Sequence, residues 1–167
     1  MPLDNSLPSV IFNFRCKYRP FSNHHLKPCE LDGETYPNIE NAFQAAKTLN
    51  YDERKFFQTC TSAASKHRGK MLDLRSDWES VKHSIMLDLV RQKFCDGDEK
   101  QLLLSTLDCE LIEGNYWHDN YWGKCYGPQF NLSPAINLSC DQCKQADSHN
   151  HLGRLLMQVR QELQPAA

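Results

Sequence analysis

Apolar residues recur along this chain with two periods. Val10-Ile-Phe-Asn-Phe14 is rich in β-formers and predicts a short strand. Cys29-Glu-Leu-Asp-Gly-Glu-Thr-Tyr36 predicts a hairpin that turns at Asp32-Gly33. Residues 15–28 between them show no period and predict irregular chain. After Pro37 the period lengthens. Ile39 to Leu49 holds neither Gly nor Pro, and its Ala, Gln, Glu and Leu favour helix, with Asn38 as N-cap. Further helices are predicted over 51–58, over 62–70 with Thr61 as cap and Gly69 as stop, and from Ser76 or Asp77 to about Phe94. In the last of these, Trp78, Val81, Ile85, Leu89 and Gln92 recur at helical spacing and predict the inward stripe. Gly97 ends that helix, and another runs from Glu99 to Leu107. Leu111-Ile112 predicts a short strand before a turn at Gly114. Residues 124–148, with Pro128 and Pro134, read as loop. The final helix is predicted from near His149 to Leu163, with Leu152, Leu155, Leu156, Val159 and Leu163 inward and Gly153 permitting close packing. Residues 1–8 carry two prolines and read as a loose arm. No repeat, low-complexity tract or linker interrupts residues 1–167, so the pattern predicts one domain.

The helix after Pro37 carries the most suggestive polar stripe. Glu40, Gln44 and Lys47 stand at i, i+4 and i+7 and share a face. Glu40 and Lys47 are about 10 Å apart along the axis, so their long side chains can converge on something held between them. Ala42, Phe43, Ala45, Ala46 and Leu49 give the other faces a small apolar surface, which predicts a largely buried helix. A buried acid and a buried Lys cost free energy unless they are paired or used. Two readings stand. Glu40 favours the helix dipole while Lys47 snorkels to water, or the two serve a ligand.

Composition narrows the class. The chain has 167 residues, 40% hydrophobic and 24% charged, as in an ordinary globular protein with a sizeable core. Its net charge of −2 gives no global footprint of a tight nucleic-acid binder, though a local patch can still hold a small anion or a nucleic-acid end. Lys66-His67-Arg68 is basic and reads as a solvated face rather than a phosphate site. MPLDNSLPSV lacks the charged and apolar regions of a signal peptide, and no apolar run approaches 18 residues, so no membrane association is expected. Of eight cysteines, Cys16, Cys29, Cys60, Cys95 and Cys109 are scattered singly. That spread argues against a disulfide scaffold and for reduced thiols, with a cytoplasmic or nuclear location.

Three constellations carry candidate chemistry. Tyr116-Trp-His-Asp-Asn-Tyr-Trp-Gly123 is either an irregular plug of the core or a surface that stacks on a flat ligand. In the second case Asp119 binds ribose hydroxyls or stabilises a cationic transition state. Cys140-x-x-Cys143 with Cys125 and His149 or His151 has the donors of a structural zinc site, and free surface thiols are the alternative. A nucleophilic cysteine is disfavoured, because no Cys sits at an evident helix N-terminus beside a His.

Taken together, the pieces resemble the NADAR domain family, also called YbiA-like. The matching residues are Phe21-Ser-Asn23, Tyr36-Pro37 leading to Glu40-Asn-Ala-Phe-Gln-Ala-Ala-Lys47, Trp78-Glu-Ser-Val-Lys82 with Met86, and Lys93-Phe94. Asp119-Asn-Tyr-Trp-Gly123 and Asn150-His-Leu-Gly153, running into Leu156-Met157 and Arg160, complete the set. Their order and spacing match over about residues 10–163. The resemblance implies a mainly α fold with a small β element (α+β), and cleavage of N-glycosidic bonds between ribose and a base-like amine. It implies no cofactor. Its substrates are ADP-ribose attached to guanine in nucleic acid, or ribosylamino intermediates of riboflavin synthesis. Carried over, Glu40, Lys47, Asp119 and Trp122 belong to the active site, with Ser22, Asn23 and Asn150 near it. Gln44, on the same stripe, and Trp78, in a matched motif, join the substrate-binding positions. The chain departs from the shorter bacterial pattern at His24, where Phe often closes the Phe-Ser-Asn motif, and in the cysteine-bearing insert between Gly123 and Asn150.

These residues suit that chemistry. Breaking a ribose–base bond builds positive charge at the anomeric carbon, which a carboxylate at Glu40 or Asp119 stabilises or meets with activated water. A Lys in a desolvated pocket loses its proton and attacks, so Lys47 forms a transient Schiff base with the opened sugar in one version of the mechanism. Trp122 stacks on the base. The expectation is a hydrolase of ADP-ribosylated guanine, favoured by the long insert and by the lack of a fused riboflavin-pathway domain. A hydrolase of riboflavin intermediates is the second reading. A non-catalytic ADP-ribose-binding module and a zinc-stabilised interaction domain are rivals from other classes, and the oligomeric state is open.

Overall fold

The computed structural model describes residues 9–127, 140–143 and 148–165. The expected arm at 1–8, and residues 128–139 and 144–147 of the expected loop, lie outside that set. In chain order the elements begin with β1 (Val10–Ile11), a 3-10 helix (Cys16–Phe21), β2 (Cys29–Leu31), β3 (Glu34–Tyr36) and α1 (Ile39–Ala45). They continue with α2 (Tyr51–Thr59), α3 (Ser62–Gly69), α4 (Trp78–Lys93), α5 (Gly97–Leu104), β4 (Glu110–Leu111), β5 (Gly114–Asn115), β6 (Lys124–Cys125), a 3-10 turn (Asp141–Cys143) and α6 (His151–Glu162). The result is mainly helical with small two-stranded sheets, as expected. No described helix is long and apolar enough to cross a membrane. The chain forms two compact units, one of residues 23–100 and one of residues up to 22 with those from 101 on.

In the 23–100 unit, β2 and β3 pair antiparallel with Cys29 opposite Tyr36. Asp32 and Gly33, at φ 53° and 81°, both take the left-handed conformation that a tight hairpin turn of this hand requires. Buried Arg54 of α2 secures the turn, bonding Asp32 at 2.6 Å and the Thr48 carbonyl at 2.8 Å. Asn38 caps α1 by accepting from the Asn41 N–H at 3.0 Å. Every residue of α1 is buried, against α2, α3, α4 and the hairpin.

Three expectations in this unit need correction. The helix predicted to Leu49 stops at Ala45, and Leu49 is 60% exposed rather than apolar cover. Its last turn tightens, with the N–H groups of Lys47 and Thr48 bonding three residues back. Thr48, which stays buried, then serves the start of α2, donating to Glu53 at 2.7 Å and accepting from the Asn50 N–H at 3.1 Å. On α4 the inward stripe is Trp78, Met86, Leu89, Val90 and Lys93, while Val81 and Ile85 are half-buried and Gln92 is exposed. Gln92 is bound to both backbone groups of Glu30 at 2.8 and 3.0 Å, which fixes the rotation of α4 against the hairpin edge. Asp77 gives its carboxylate to Arg75, at 2.6 and 2.9 Å, rather than to the helix cap.

In the other unit, β1 and β4 pair in parallel, Ile11 opposite Leu111, and β5 and β6 pair in parallel, Gly114 opposite Lys124. The strand predicted to Phe14 is only two residues long. The β5–β6 pair was not foreseen, because Gly114 and Asn115 are poor strand formers. Residues 16–21, expected to be irregular, form a 3-10 helix. Leu152, Leu156 and Val159 of α6 are buried as expected, but Gly153 and Arg160 join them while Leu155 and Leu163 are half-buried. Arg160 is satisfied by the Thr106 hydroxyl at 2.7 Å and the Cys109 carbonyl at 2.9 Å.

Candidate active site

The polar stripe of α1 is real and sits in the buried part of the 23–100 unit. Glu40 and Gln44 are each 6% exposed, and the Gln44 amide donates to Glu40 Oε1 at 2.9 Å. The second carboxylate oxygen lies 4.0 Å from His24 Nε2. The Glu40 N–H donates to the Asn23 carbonyl at 3.0 Å, which ties the Asn23-His24 segment to the start of the helix. Lys47 stands just past the helix end with Nζ 3.4 Å from the Gly69 carbonyl. Two buried acceptors in this group, Asn23 Oδ1 and Gln44 Oε1, have no hydrogen-bond partner among the described residues. Buried acceptors in that condition cost free energy and are met by water or a ligand in most proteins.

The electrostatics bear on the competition between burial and the Glu40 charge that spacing leaves open. Burial lowers the Lys47 pKa, Lys66 and Lys70 push the same way, and the Glu40 carboxylate recovers only part of the shift. His24 is likewise lowered, first by burial and then by Lys66 and Lys93, against Glu40. Both nitrogen bases therefore lose a proton more readily than an exposed lysine or histidine would. Gly69 belongs to this arrangement. A Cβ built there would overlap Gln44 Oε1, so only glycine lets α3 lie this close to α1. Trp78 packs on Phe43, ring centres 5.0 Å apart, and is 6% exposed.

The remaining expected residues belong to the other unit. Asp119 Oδ1 accepts from the N–H groups of Tyr121 at 3.0 Å and Trp122 at 2.9 Å, which folds the 119–122 loop on itself. Asn115 brackets the same residue, donating to the Asp119 carbonyl at 2.7 Å and accepting from its N–H at 3.2 Å. Trp122 is half-buried, its ring 5.2 Å from Tyr121 and 6.0 Å from His151. Tyr116 and Trp117 are exposed and meet edge to face. The carbonyls of Asn120, Tyr121 and Trp122 accept from His149, His151 and Leu152, so this loop satisfies the first N–H groups of α6. Asn150, expected near the substrate, spends its side chain on the backbone. It donates to the Leu111 carbonyl at 2.9 Å and accepts from the Glu113 N–H at 3.0 Å, in the left-handed conformation at φ 48°. Ser22 closes the 3-10 helix through its N–H to the Arg19 carbonyl.

Cys125, Cys140 and Cys143 do come together, but the histidine that joins them is His118. His149 and His151 instead stack on each other, 5.2 Å apart and 11° from parallel. His24, Gly69, Asn115 and His118 are the residues that sequence reasoning missed. The sequence marks His24 only as a departure from the bacterial pattern and Gly69 only as a helix stop.

The family model described as NADAR domain matches residues 11–164. N-glycosidase YbiA of Escherichia coli (strain K12) is 33% identical, with 96% of this chain and 93% of that protein covered. The NMR structure of E. coli YbiA superposes with a TM-score of 0.71 at 30% identity, covering 98% of this chain and 93% of the other. The riboflavin biosynthesis protein PYRR, chloroplastic, of Zea mays is 28% identical over 86% of this chain, which spans 22% of that longer protein. On this likeness, which takes in the Glu40–Lys47 helix and the Asp119–Trp122 loop alike, the chain belongs to the NADAR domain family and is a YbiA-like N-glycosidase.

Proposed function

We propose that this N-glycosidase removes ADP-ribose from guanine in nucleic acid. The observation that carries the reading is the buried Glu40–Gln44 pair with Lys47 close by, whose pKa burial lowers and Lys66 and Lys70 lower further. A neutral amine suits attack at C1′ of the ribose. The C1′–N bond breaks with its electron pair leaving on the base, and one proton passes from the attacking amine to that base. The sugar ring opens to a Schiff base on Lys47. Water activated by Glu40 adds at C1′, frees the sugar and restores the amine. Sugar hydroxyls satisfy the orphaned acceptors of Asn23 and Gln44. Lys66 and Lys70, which act on Lys47 electrostatically, offer charge to the diphosphate.

The second reading is hydrolysis of a ribosylamino-pyrimidine phosphate, favoured by the likeness to the maize riboflavin protein. Parallel assays on guanine-ADP-ribosylated DNA and on that small substrate separate the two. Release of ADP-ribose from DNA as the faster reaction is expected, and the reverse order assigns the riboflavin substrate. Borohydride added during turnover is expected to trap a ribose-derived adduct on Lys47. Unmodified protein under confirmed turnover leaves water activated by Glu40 as the sole nucleophile. Glu40→Gln is expected to keep the fold and lose at least about two orders of magnitude in turnover.

A further inference from the structure

Three thiols surround one imidazole nitrogen at the edge of the Asp119–Trp122 loop. His118 Nδ1 lies 3.3 Å from Cys143 Sγ, 3.4 Å from Cys140 Sγ and 3.6 Å from Cys125 Sγ, and all four donor atoms fall within 4.8 Å of one another. Hydrogen bonding does not account for this. A neutral ring nitrogen offers one proton or one lone pair, enough for one sulfur and not three. A disulfide would use two of the thiols and leave the third, and all three are free. A tetrahedral zinc ion accounts for all of them. With Zn–S at about 2.3 Å and Zn–N at about 2.0–2.1 Å, a tetrahedron places sulfur and nitrogen roughly 3.5 Å apart. The observed spacings bracket that value.

We infer that His118, Cys125, Cys140 and Cys143 bind one structural zinc ion. Four protein donors close the coordination sphere, which marks a structural ion rather than a catalytic one with an open position. The backbone carries a second sign. His118 sits at φ +66°, in the left-handed region that non-glycine residues enter sparingly and hold where the surroundings fix them. Cys125 and Cys140 are buried, and Gly127 at φ +70° lies so close to Cys140 that a Cβ there would come within 3.3 Å of its Cα. His118 and Cys125 flank the Asp119–Trp122 loop in sequence, so the ion ties both ends of that loop to residues 140–143. The binding is independent of which ribosylated substrate the enzyme takes.

Metal analysis of the full chain, purified without chelator, is expected to find one zinc per chain. The Cys140→Ser/Cys143→Ser double variant and His118→Ala are expected to lose it, while His149→Ala keeps it. Cobalt exchanged into the wild-type chain is expected to give thiolate-to-cobalt charge transfer and the strong visible absorption of a tetrahedral site, a readout that needs no variant to fold. Chelation is expected to lower Tm and added zinc to restore it. Wild-type protein that takes up neither zinc nor cobalt overturns the inference, as does a metal content that His118→Ala and the double variant leave unchanged.

Discussion

On the proposed mechanism, Lys47 trades stability for chemistry. Burial holds its pKa below the ordinary 10.5, and Glu40 offsets only part of that. Between the folded value and 10.5 the unfolded chain therefore binds more protons at this site, so the stability contributed here rises with pH across that window. Below it, the cost of a buried charged amine is fully present. Lys47→Met should accordingly raise Tm at pH 7, with the gain shrinking as pH approaches 10.5, and should abolish turnover. Such a trade of stability for function is common at active sites. Wild-type turnover should rise with pH on a limb whose apparent pKa lies below 10.5. A Lys47→Met protein that melts lower at pH 7, or one that keeps its turnover, would remove the residue from this role.

Between elements, the contact of α1 with α3 turns on Gly69. Its missing Cβ leaves room for the Gln44 amide, which in turn holds Glu40. Gly69→Ala should push Gln44 off Glu40 and cut turnover. Its effect on stability should change sign with the background. With Gln44 present the overlap destabilises. In Gln44→Ala the two overlapping atoms are gone and only the residue-44 Cβ remains, 3.2 Å from the added methyl, a contact that a shift of a few tenths of an ångström relieves, so the better helix propensity of Ala should then stabilise by up to about 1 kcal/mol. Denaturant unfolding of the four members of this cycle measures it, and simple additivity would show that the two residues do not compete for one space. In the other unit, Asn150 acts in a comparable way. It locks the start of α6 onto the backbone between β4 and β5, and Gly153 lets the helix approach the Leu111 carbonyl.

For the molecule as a whole, charge limits how the proposed nucleic-acid substrate would be held. A net charge of −2 leaves only local cations for a polyanion. Lys66 and Lys70 stand near Lys47, while Arg68 faces Glu53 at 3.9 Å. Two phosphates neutralised at roughly 0.7–0.9 each predict that log kcat/KM on ADP-ribosylated DNA falls against log salt with a slope of about −1.5. Assays across a salt series give that slope directly. A slope of about −5 or steeper would require an extended phosphate-binding surface beyond these two lysines.

Local chemistry was legible in the sequence. Asn38 and Thr61 cap helices because a short polar side chain reaches an N–H three residues on. Asp32-Gly33 makes the hairpin turn, and Glu40 meets Gln44 because i and i+4 share a helix face. Such contacts depend on spacing along the chain, which the sequence contains. The rotation of α4, the early end of α1 and the β5–β6 pairing depend on what lies across from each segment, such as the Glu30 backbone that receives Gln92. The pKa of Lys47 is of that second kind, because desolvation by distant chain outweighs the nearby carboxylate. So is the fourth member of the cysteine cluster. The sequence has seven histidines, and spacing favoured the two that follow Cys143. The fold brings up His118 instead, since the side chains nearest in space need not be those nearest along the chain.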